Sequence, residues 1–450
     1  MSPTFRSLHV RNYRLYASGA VVSNVGTWMQ RVAQDWLVLQ LTHNNGTALG
    51  ITTGLQFLPI LLLSPYAGLV ADRFPKRRLL QVTQLMLAVP ALVLGLLAVT
   101  GVAQTWMVFA VALWFGVGSA FDAPARQSFV SEIVGPDDLT NAVGLNSASF
   151  NLARMIGPAL AGVLIAALGS GVSATGAVIL INAVSYSAVI LSLQRMRDRE
   201  LHPAKPVARH PGMIVEGMRY TLARPDLMLI LTIVFFAGTF GLNFQITSAL
   251  MATEVFHKGA GEYGLLGTTL AIGSLSGALL AARRSRIRHR LVVAAAVGFG
   301  LAEIVAGLMP TYTAFAVWTP VLGLFSLTLI TSANATFQMS VAPQMRGRVM
   351  ALYMMVFMGG TPIGAPIVGW VGQEFGARWT LLGGGAATIL GTALAVALFA
   401  RARGWVGHAV DVPRVRRAEA PEAPGLVEQV AEAEHAEQVE PAGEPVSSRV

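Results

Sequence analysis

Four ionisable residues, Arg31, Asp35, Arg154 and Glu303, fall inside long apolar runs. A charge in hydrocarbon costs about 2.5–3.5 kcal/mol on insertion scales, so each of them needs a partner or a watery cavity. Arg31 and Asp35 stand four residues apart, which puts them on one face of a helix and within reach of each other. Burial favours the protonated form of an acid and a neighbouring cation favours the carboxylate. Making and breaking an Arg31–Asp35 contact would therefore load and release a proton, and these two residues are the expected proton-coupling pair; a static structural pair is the alternative.

Arg154 shares its side of a helix with Ser147, Asn151 and Pro158. It would hold an anion in a cavity, pair with Asp35 in one conformation, or pair with another helix. Asn243, Gln245, Asn334 and Gln338 are candidates either to line the same cavity or to join helices by hydrogen bonds. Glu303 is expected in the outer half of its helix, reaching toward the outer surface. Aromatic and Met residues such as Trp28, Trp36, Trp114, Phe235, Phe236, Met354 and Met355 suit an adaptable apolar binding surface. At helical spacing they also suit packing, and about a third of them are expected to face a cavity.

Other chemistry is excluded. The chain has no Cys, which rules out disulfides, thiolate metal sites and a Cys nucleophile. Its eight His are scattered through loops and tails, and no nucleotide-binding loop, Ser-His-Asp set or metal-ligand cluster is present. No catalytic residue, metal or cofactor is expected, and the chain is not an enzyme. The net charge of +9 comes from short Arg and Lys clusters between apolar runs, which orient membrane helices and do not form a nucleic-acid surface.

The elements that must carry these residues are membrane helices. Of 450 residues 54% are hydrophobic and 12% charged, too little charge to cover a soluble surface. Apolar runs long enough for a bilayer predict twelve helices at 13–40, 47–71, 77–99, 104–127, 141–168, 172–194, 226–252, 260–283, 290–309, 312–338, 347–372 and 376–400. Of 32 Arg and Lys, 27 lie on one side of this arrangement and two, Lys258 and Arg378, on the other. The positive-inside rule then places both termini in the cytoplasm. The first run lacks a cleavage site and is read as a retained helix.

The organisation that follows is an amino-terminal six-helix half (1–194), a cytoplasmic linker (195–225), a carboxy-terminal six-helix half (226–400) and a disordered cytoplasmic tail (401–450). In the linker, Pro211 to Arg224 reads as an amphipathic helix with Ile214, Met218 and Leu222 along one side. The halves repeat: Ile156-Gly157-Pro158-Ala159-Leu160-Ala161-Gly162 lines up 207 residues later with Ile363-Gly364-Ala365-Pro366-Ile367-Val368-Gly369. The tail is basic at Arg414 to Arg417 and then acidic, with little to bury.

At Gly68-Leu69-Val70-Ala71-Asp72-Arg73-Phe74-Pro75-Lys76-Arg77-Arg78 the chain resembles the signature loop of the major facilitator superfamily, with Pro75 where the pattern has a second Gly. Ala153, Gly157-Pro158 and Ala161-Gly162 look like that superfamily's antiporter motif with Ala in two of its Gly positions. Phe121-Asp122-Ala123-Pro124-Ala125-Arg126-Gln127, with Asn141-Ala142-Val143 and Asn151-Leu152-Ala153-Arg154, resembles the bacterial secretion-effector branch that includes the enterobactin exporter and macrolide-efflux relatives. A fourth-helix Arg common in proton-driven drug antiporters is absent; Ala112 stands there, before Gly116 and Gly118.

The resemblance implies the major facilitator fold. It also implies a cytoplasmic gate in which Gly68, Asp72, Arg73, Lys76 and Arg77 meet Asp122 and Arg346, with Asp72 near Arg346 and Arg348 and Arg73 paired with Asp122. The function implied is secondary active transport in the bacterial inner membrane: a monomeric proton-coupled antiporter exporting a small amphipathic drug or siderophore-like molecule. The proton gradient would be its energy source, the small-molecule substrate and the lipid bilayer its partners, and neither nucleic acid nor an ATPase subunit would be required. An importer, or a non-transporting membrane sensor or scaffold, are the alternatives.

Overall fold

The computed structural model describes residues 3–202, 213–282, 289–342 and 345–402. Pro211 and residues 403–450 lie outside these residues, and the last helix runs on to Ala402, past the expected start of the tail at 401. Fifteen α-helices account for the described fold: α1 (Arg11–Leu41), α2 (Gly46–Arg73), α3 (Lys76–Val99), α4 (Thr105–Ile133), α5 (Pro136–Ala167), α6 (Val172–Gln194), α7 (Met213–Leu222), α8 (Pro225–Phe236), α9 (Phe244–Leu250), α10 (Ala260–Ala282), α11 (His289–Gly307), α12 (Tyr312–Met339), α13 (Arg346–Gly359), α14 (Thr361–Phe375) and α15 (Ala377–Ala402).

Local sequence sets their ends. The Asn45 side chain accepts from the Ala48 backbone N–H at 2.9 Å and starts α2, and Thr311 does the same for Ala314 at 3.2 Å and starts α12. Pro136 and Pro225 open α5 and α8, where the missing N–H costs nothing. Gly376, at φ 96°, ends α14 in a conformation that favours glycine.

Among the described residues eleven helical stretches are long and apolar enough to cross a bilayer. The first helix is not one of them. It runs for 31 residues, but Gln30, Arg31, Gln34 and Asp35 interrupt its apolar run. Two spans are also less regular than expected. The stretch Pro225–Val255 consists of α8, a π-helical turn Ala237–Gly241, α9 and a second π-helical turn Met251–Val255. The stretch Arg346–Phe375 is divided at Gly360 into α13 and α14.

Helices α1 to α6 pack largely on one another, and α8 to α15 do likewise; α2 against α14 and α5 against α10 are the extensive contacts between the two sets. Both joints are lined by small residues that bring backbones together. A Cβ on Gly162 would stand 2.6 Å from the Ala260 carbonyl oxygen, and one on Gly46 would stand 2.7 Å from the Gly369 carbonyl oxygen. The repeated motif is therefore used twice, since α5 carries one copy and α14 the other.

The amino-terminal segment, the α2–α3 turn, the α4–α5 turn and the residues after α6 meet at one basic end. There Arg6 pairs with Asp138 at 2.9 Å, and the buried Lys76 pairs with the buried Glu132 at 2.7 Å. Asn12 donates to the Arg197 carbonyl at 2.9 Å, and Arg77 donates to the Leu193 carbonyl at 2.7 Å and pairs with Asp198. Helix α7 packs on α13, with Glu216 paired to Arg348. Met218 and Leu222 of α7 remain exposed, as a surface-lying amphipathic helix requires.

Candidate functional site

A cavity of about 270 Å³ lies between the two sets of helices. From α1 and α5 come Trp28, Arg31, Val32, Arg154 and Pro158, and Phe57 comes from α2. The opposite wall carries Gly238 and Leu242 at the first π turn, Phe244 and Gln245 on α9, Tyr263 on α10, and Phe357 and Met358 on α13. No carboxylate is among the lining residues.

Both arginines lie over one aromatic face. The Arg31 guanidinium carbon is 4.8 Å from the Trp28 ring centre and 5.9 Å from that of Phe57, and the Arg154 carbon is 5.7 Å from Trp28. Such contacts contribute about 0.5–2 kcal/mol each and do not neutralise charge. Trp28 is fixed from behind by Gly157, where a Cβ would stand 2.5 Å from the Trp28 Cβ. The Gly157-Pro158 pair thus lets α5 approach α1 closely enough for Arg154 to share the Trp28 ring.

The expected Arg31–Asp35 pair is not formed. Asp35 is buried and accepts a 3.0 Å hydrogen bond from the Tyr263 hydroxyl of α10, while Trp36 stacks on the Tyr263 ring. Arg31 turns to Trp28 instead, its Nε has no hydrogen-bond partner among the described residues, and neither it nor Arg154 makes an ion pair there. The spacing correctly put Arg31 and Asp35 on one face. It could not show that α10 supplies Asp35 with a donor and that Trp28 attracts the guanidinium.

Of the other expected cavity residues, Gln245 lines this cavity and Asn243 a smaller one of about 60 Å³ beside it. Asn151 is exposed and donates to the Ser147 carbonyl at 2.9 Å; Gln338 is also exposed, and Asn334 is half-buried outside this lining. Among the seven aromatic and Met residues singled out, Trp28 alone lines the cavity; Trp114, Phe235 and Met354 are exposed on the helix bundle. In the antiporter-like motif, Ala153, Gly157, Pro158, Ala161 and Gly162 lie toward α1 and α10, with Ala153 and Ala161 buried.

Glu303 does not reach the surface. It is 0% exposed, enclosed by the first π turn and α15. Nor does Arg73 pair with Asp122: Arg73 is exposed, while Asp122 is held by Arg126 at 3.0 Å, Thr83 at 2.8 Å and Gln84 at 2.7 Å. Arg126 is one helical turn from Asp122 on α4, which makes it the nearer partner. Gly68 and Asp72 are half-buried on the last turns of α2, and Arg346 is exposed at the start of α13.

Tyr263, Phe57 and Phe357 were not singled out in the sequence. Tyr263 had a signal: it sits among Gly261, Gly264 and Gly267, a small-residue stripe that marks close helix approach, but its bond to α1 depends on which helix becomes its neighbour.

The chain resembles known proteins over most of its length. The family model described as transmembrane secretion effector matches residues 2–422. The staphyloferrin A transporter of Staphylococcus aureus (strain NCTC 8325 / PS 47) is 25% identical over 81% of this chain and 90% of its own. The multidrug efflux pump Tap of Mycolicibacterium fortuitum is 27% identical over 81% and 90%, and the macrolide efflux protein A of Streptococcus pyogenes 24% over 84% and 94%. Among solved structures, a bacterial homologue of the iron transporter ferroportin in an inward-facing state matches with a TM-score of 0.71 at 15% identity, covering 87% of this chain and 99% of that one. A bacterial homologue of the lysosomal transporter Spinster matches at 0.66 and 16%, covering 89% and 97%. At these identities the solved structures establish the fold.

Proposed function

The chain belongs to the transmembrane secretion effector family of major facilitator transporters, and on that premise we propose that it exports an amphipathic molecule with anionic groups in exchange for protons. The observation that carries the reading is the cavity itself: two guanidiniums over one tryptophan, no carboxylate in the lining, and apolar walls from Phe57, Phe244, Phe357 and Met358. A carrier of lipophilic cations needs an exposed carboxylate in the membrane. Here an anionic substrate supplies the missing negative charge and the aromatic surface takes its apolar body. The relatives named as the staphyloferrin A transporter and as multidrug and macrolide efflux proteins support transport and export in general, not the charge of the substrate.

Asp35 is the proposed coupling residue, and its partner is Tyr263, not Arg31. The hydrogen bond runs from α10 to α1, so it forms or breaks as the two sets of helices move relative to each other. The close α2–α14 and α5–α10 joints seal the end away from the basic turns, and the proposed state is open toward the cytoplasm. In the alternate state the turn from Gly68 to Arg78 closes the basic end, so Asp72→Asn should cut transport without lowering membrane level. Both termini are cytoplasmic in this reading, and reporter fusions after Val450 and at Lys205 should both report the cytoplasm. The transporter acts as a monomer in the bacterial inner membrane.

The deciding test is binding and flux with purified protein in proteoliposomes, using a carboxylate siderophore, a macrolide and a lipophilic cation. Export of the anionic compound driven by a pH gradient supports the reading. Binding of the lipophilic cation alone overturns the charge argument, and uptake in place of export in oriented vesicles overturns the direction.

A further inference from the structure

Glu303 is a carboxyl group to which the proposed cycle gives no part. It stands on α11, one turn from the end of the helix at Gly307. Its exposure is 0%, and neither carboxyl oxygen has a hydrogen-bond partner among the described residues. Three glycines form its recess. A Cβ at Gly241 would stand 2.9 Å from Oε2, one at Gly384 would stand 3.6 Å from Oε1, and one at Gly385 would stand 3.1 Å from the Glu303 Cβ. Thr388 borders the same space, but its hydroxyl hydrogen is committed to the Gly384 carbonyl at 2.9 Å.

Among the described residues, a full negative charge in this recess would have no counter-charge. The elements packed on α11 are α8, the first π turn, α12 and α15. Their charged residues, Asp226, Arg378 and Arg401, stand at helix ends, and among the described residues none of them pairs with Glu303; Tyr312 and His289 lie at the starts of α12 and α11. A bound metal cation is a poor fit, because among the described residues Glu303 belongs to no group of three or more His, Asp or Glu side chains that could hold one, whereas such a cation takes about six oxygen ligands in the case of Mg²⁺. A proton satisfies the site by making it neutral, which removes the cost of an unpaired buried charge.

The recess also shares a wall with the cavity. Gly241 closes the π turn Ala237–Gly241, and Gly238 of the same turn, with Leu242 and Phe244 after it, lines the cavity. Phe244 packs in turn on Phe299, one helical turn before Glu303, with ring centres 6.2 Å apart. A π turn carries one residue more per turn than its neighbours and frequently marks a functional site. Substrate pressing on one face of this segment therefore acts on the lid of the Glu303 recess on the other.

We propose that Glu303 is a second proton-binding site, loaded in the state described here and exchanging its proton with the cavity when the π turn rearranges. The exchanged step is simple dissociation: the carboxylic acid gives its proton to water entering from the cavity and leaves a carboxylate, and the reverse reloads it. The inference does not depend on Asp35 or on the direction of transport.

The test uses the full chain in proteoliposomes and dicyclohexylcarbodiimide, which modifies carboxylic acids in apolar surroundings, with peptide mass spectrometry as the readout. Glu303 should be modified at acid and neutral pH, less as the pH rises, and at a different rate when the cavity is occupied by a transported compound. Glu303→Gln should lose the modification and lower pH-gradient-driven flux about tenfold or more, a free-energy change of about 1.4 kcal/mol. Asp35→Asn in the same assay should leave the Glu303 modification in place. Absence of modification at every pH, modification that ignores both pH and ligand, or wild-type flux in Glu303→Gln each overturns the inference while leaving the proposed export untouched. Should Glu303→Gln fail to reach the membrane, the labelling of the unaltered chain still decides.

Discussion

Asp35 and Glu303 are both carboxyls buried inside the helix bundle, yet they are treated differently. Asp35 is bonded to the Tyr263 hydroxyl from the opposite set of helices, within a helix of the cavity arginines. Glu303 is closed in by its own set, against glycines, with no donor among the described residues. The contrast teaches that an acid's role in a span is set by what crosses to meet it. An acid bonded across the two sets reports their relative position, whereas an acid sealed within one set reports the local shape of that set.

The largest test of this contrast is Asp35→Asn, which fixes a neutral, proton-loaded equivalent. Uphill efflux driven by a pH gradient should fall to background while substrate exchange between equal concentrations continues. Full gradient-driven efflux without Asp35 would transfer the coupling role to Glu303. Next in size is Arg154→Ala. Charge-assisted contacts contribute about 1.5–3 kcal/mol, so binding of an anionic ligand, followed by calorimetry or fluorescence, should weaken about tenfold or more with lipophilic cations unaffected.

Tyr263→Phe removes one hydrogen bond and keeps the ring stacked on Trp36. A neutral hydrogen bond is worth about 1 kcal/mol net, so the pH at which efflux is half-maximal should shift measurably while protein level holds. An unchanged pH profile would separate Asp35 from the α1–α10 contact. The smallest effect belongs to Thr388→Val. Because that hydroxyl donates to Gly384 and not to Glu303, carbodiimide modification of Glu303 should persist in the variant, and its loss would show that Thr388 supports the carboxyl after all.

Much of the architecture was legible because hydrophobic period and charge bias are local properties. The helical class, most span boundaries and the repeated Gly-Pro motif could be read along the chain. The break at Gly360 carries a local mark, Gly359-Gly360 with Pro362 just after them. The π turns in the stretch Pro225–Val255 are not legible in this way: no proline lies at the Ala237–Gly241 turn, and its geometry answers to Gly384, Phe299 and Glu303 on other helices. The site divided along the same line. Arg31, Arg154 and Gln245 were found as unusual polar residues in apolar runs, whereas the partner of Asp35 and the enclosure of Glu303 depend on which helices become neighbours. Arg126 as the partner of Asp122 was local and readable at four-residue spacing, but the resemblance to the signature loop drew attention to Arg73.

The low apolarity of α1 has a consequence for how the protein is made. Gln30, Arg31, Gln34 and Asp35 fall in the stretch that must settle in the bilayer first, and each ionised residue at mid-helix resists insertion by about 2.5–3.5 kcal/mol. Gln30 meets Asn182 of α6, and Asp35 meets Tyr263 of α10, so the groups that make α1 acceptable in lipid are synthesised long after it. Stable residence of α1 in lipid is therefore expected only once these partners have emerged. A nascent chain truncated before α6 should accordingly hold α1 poorly in the membrane, and glycosylation mapping or protease protection of such truncations would time the moment at which the helix is accepted.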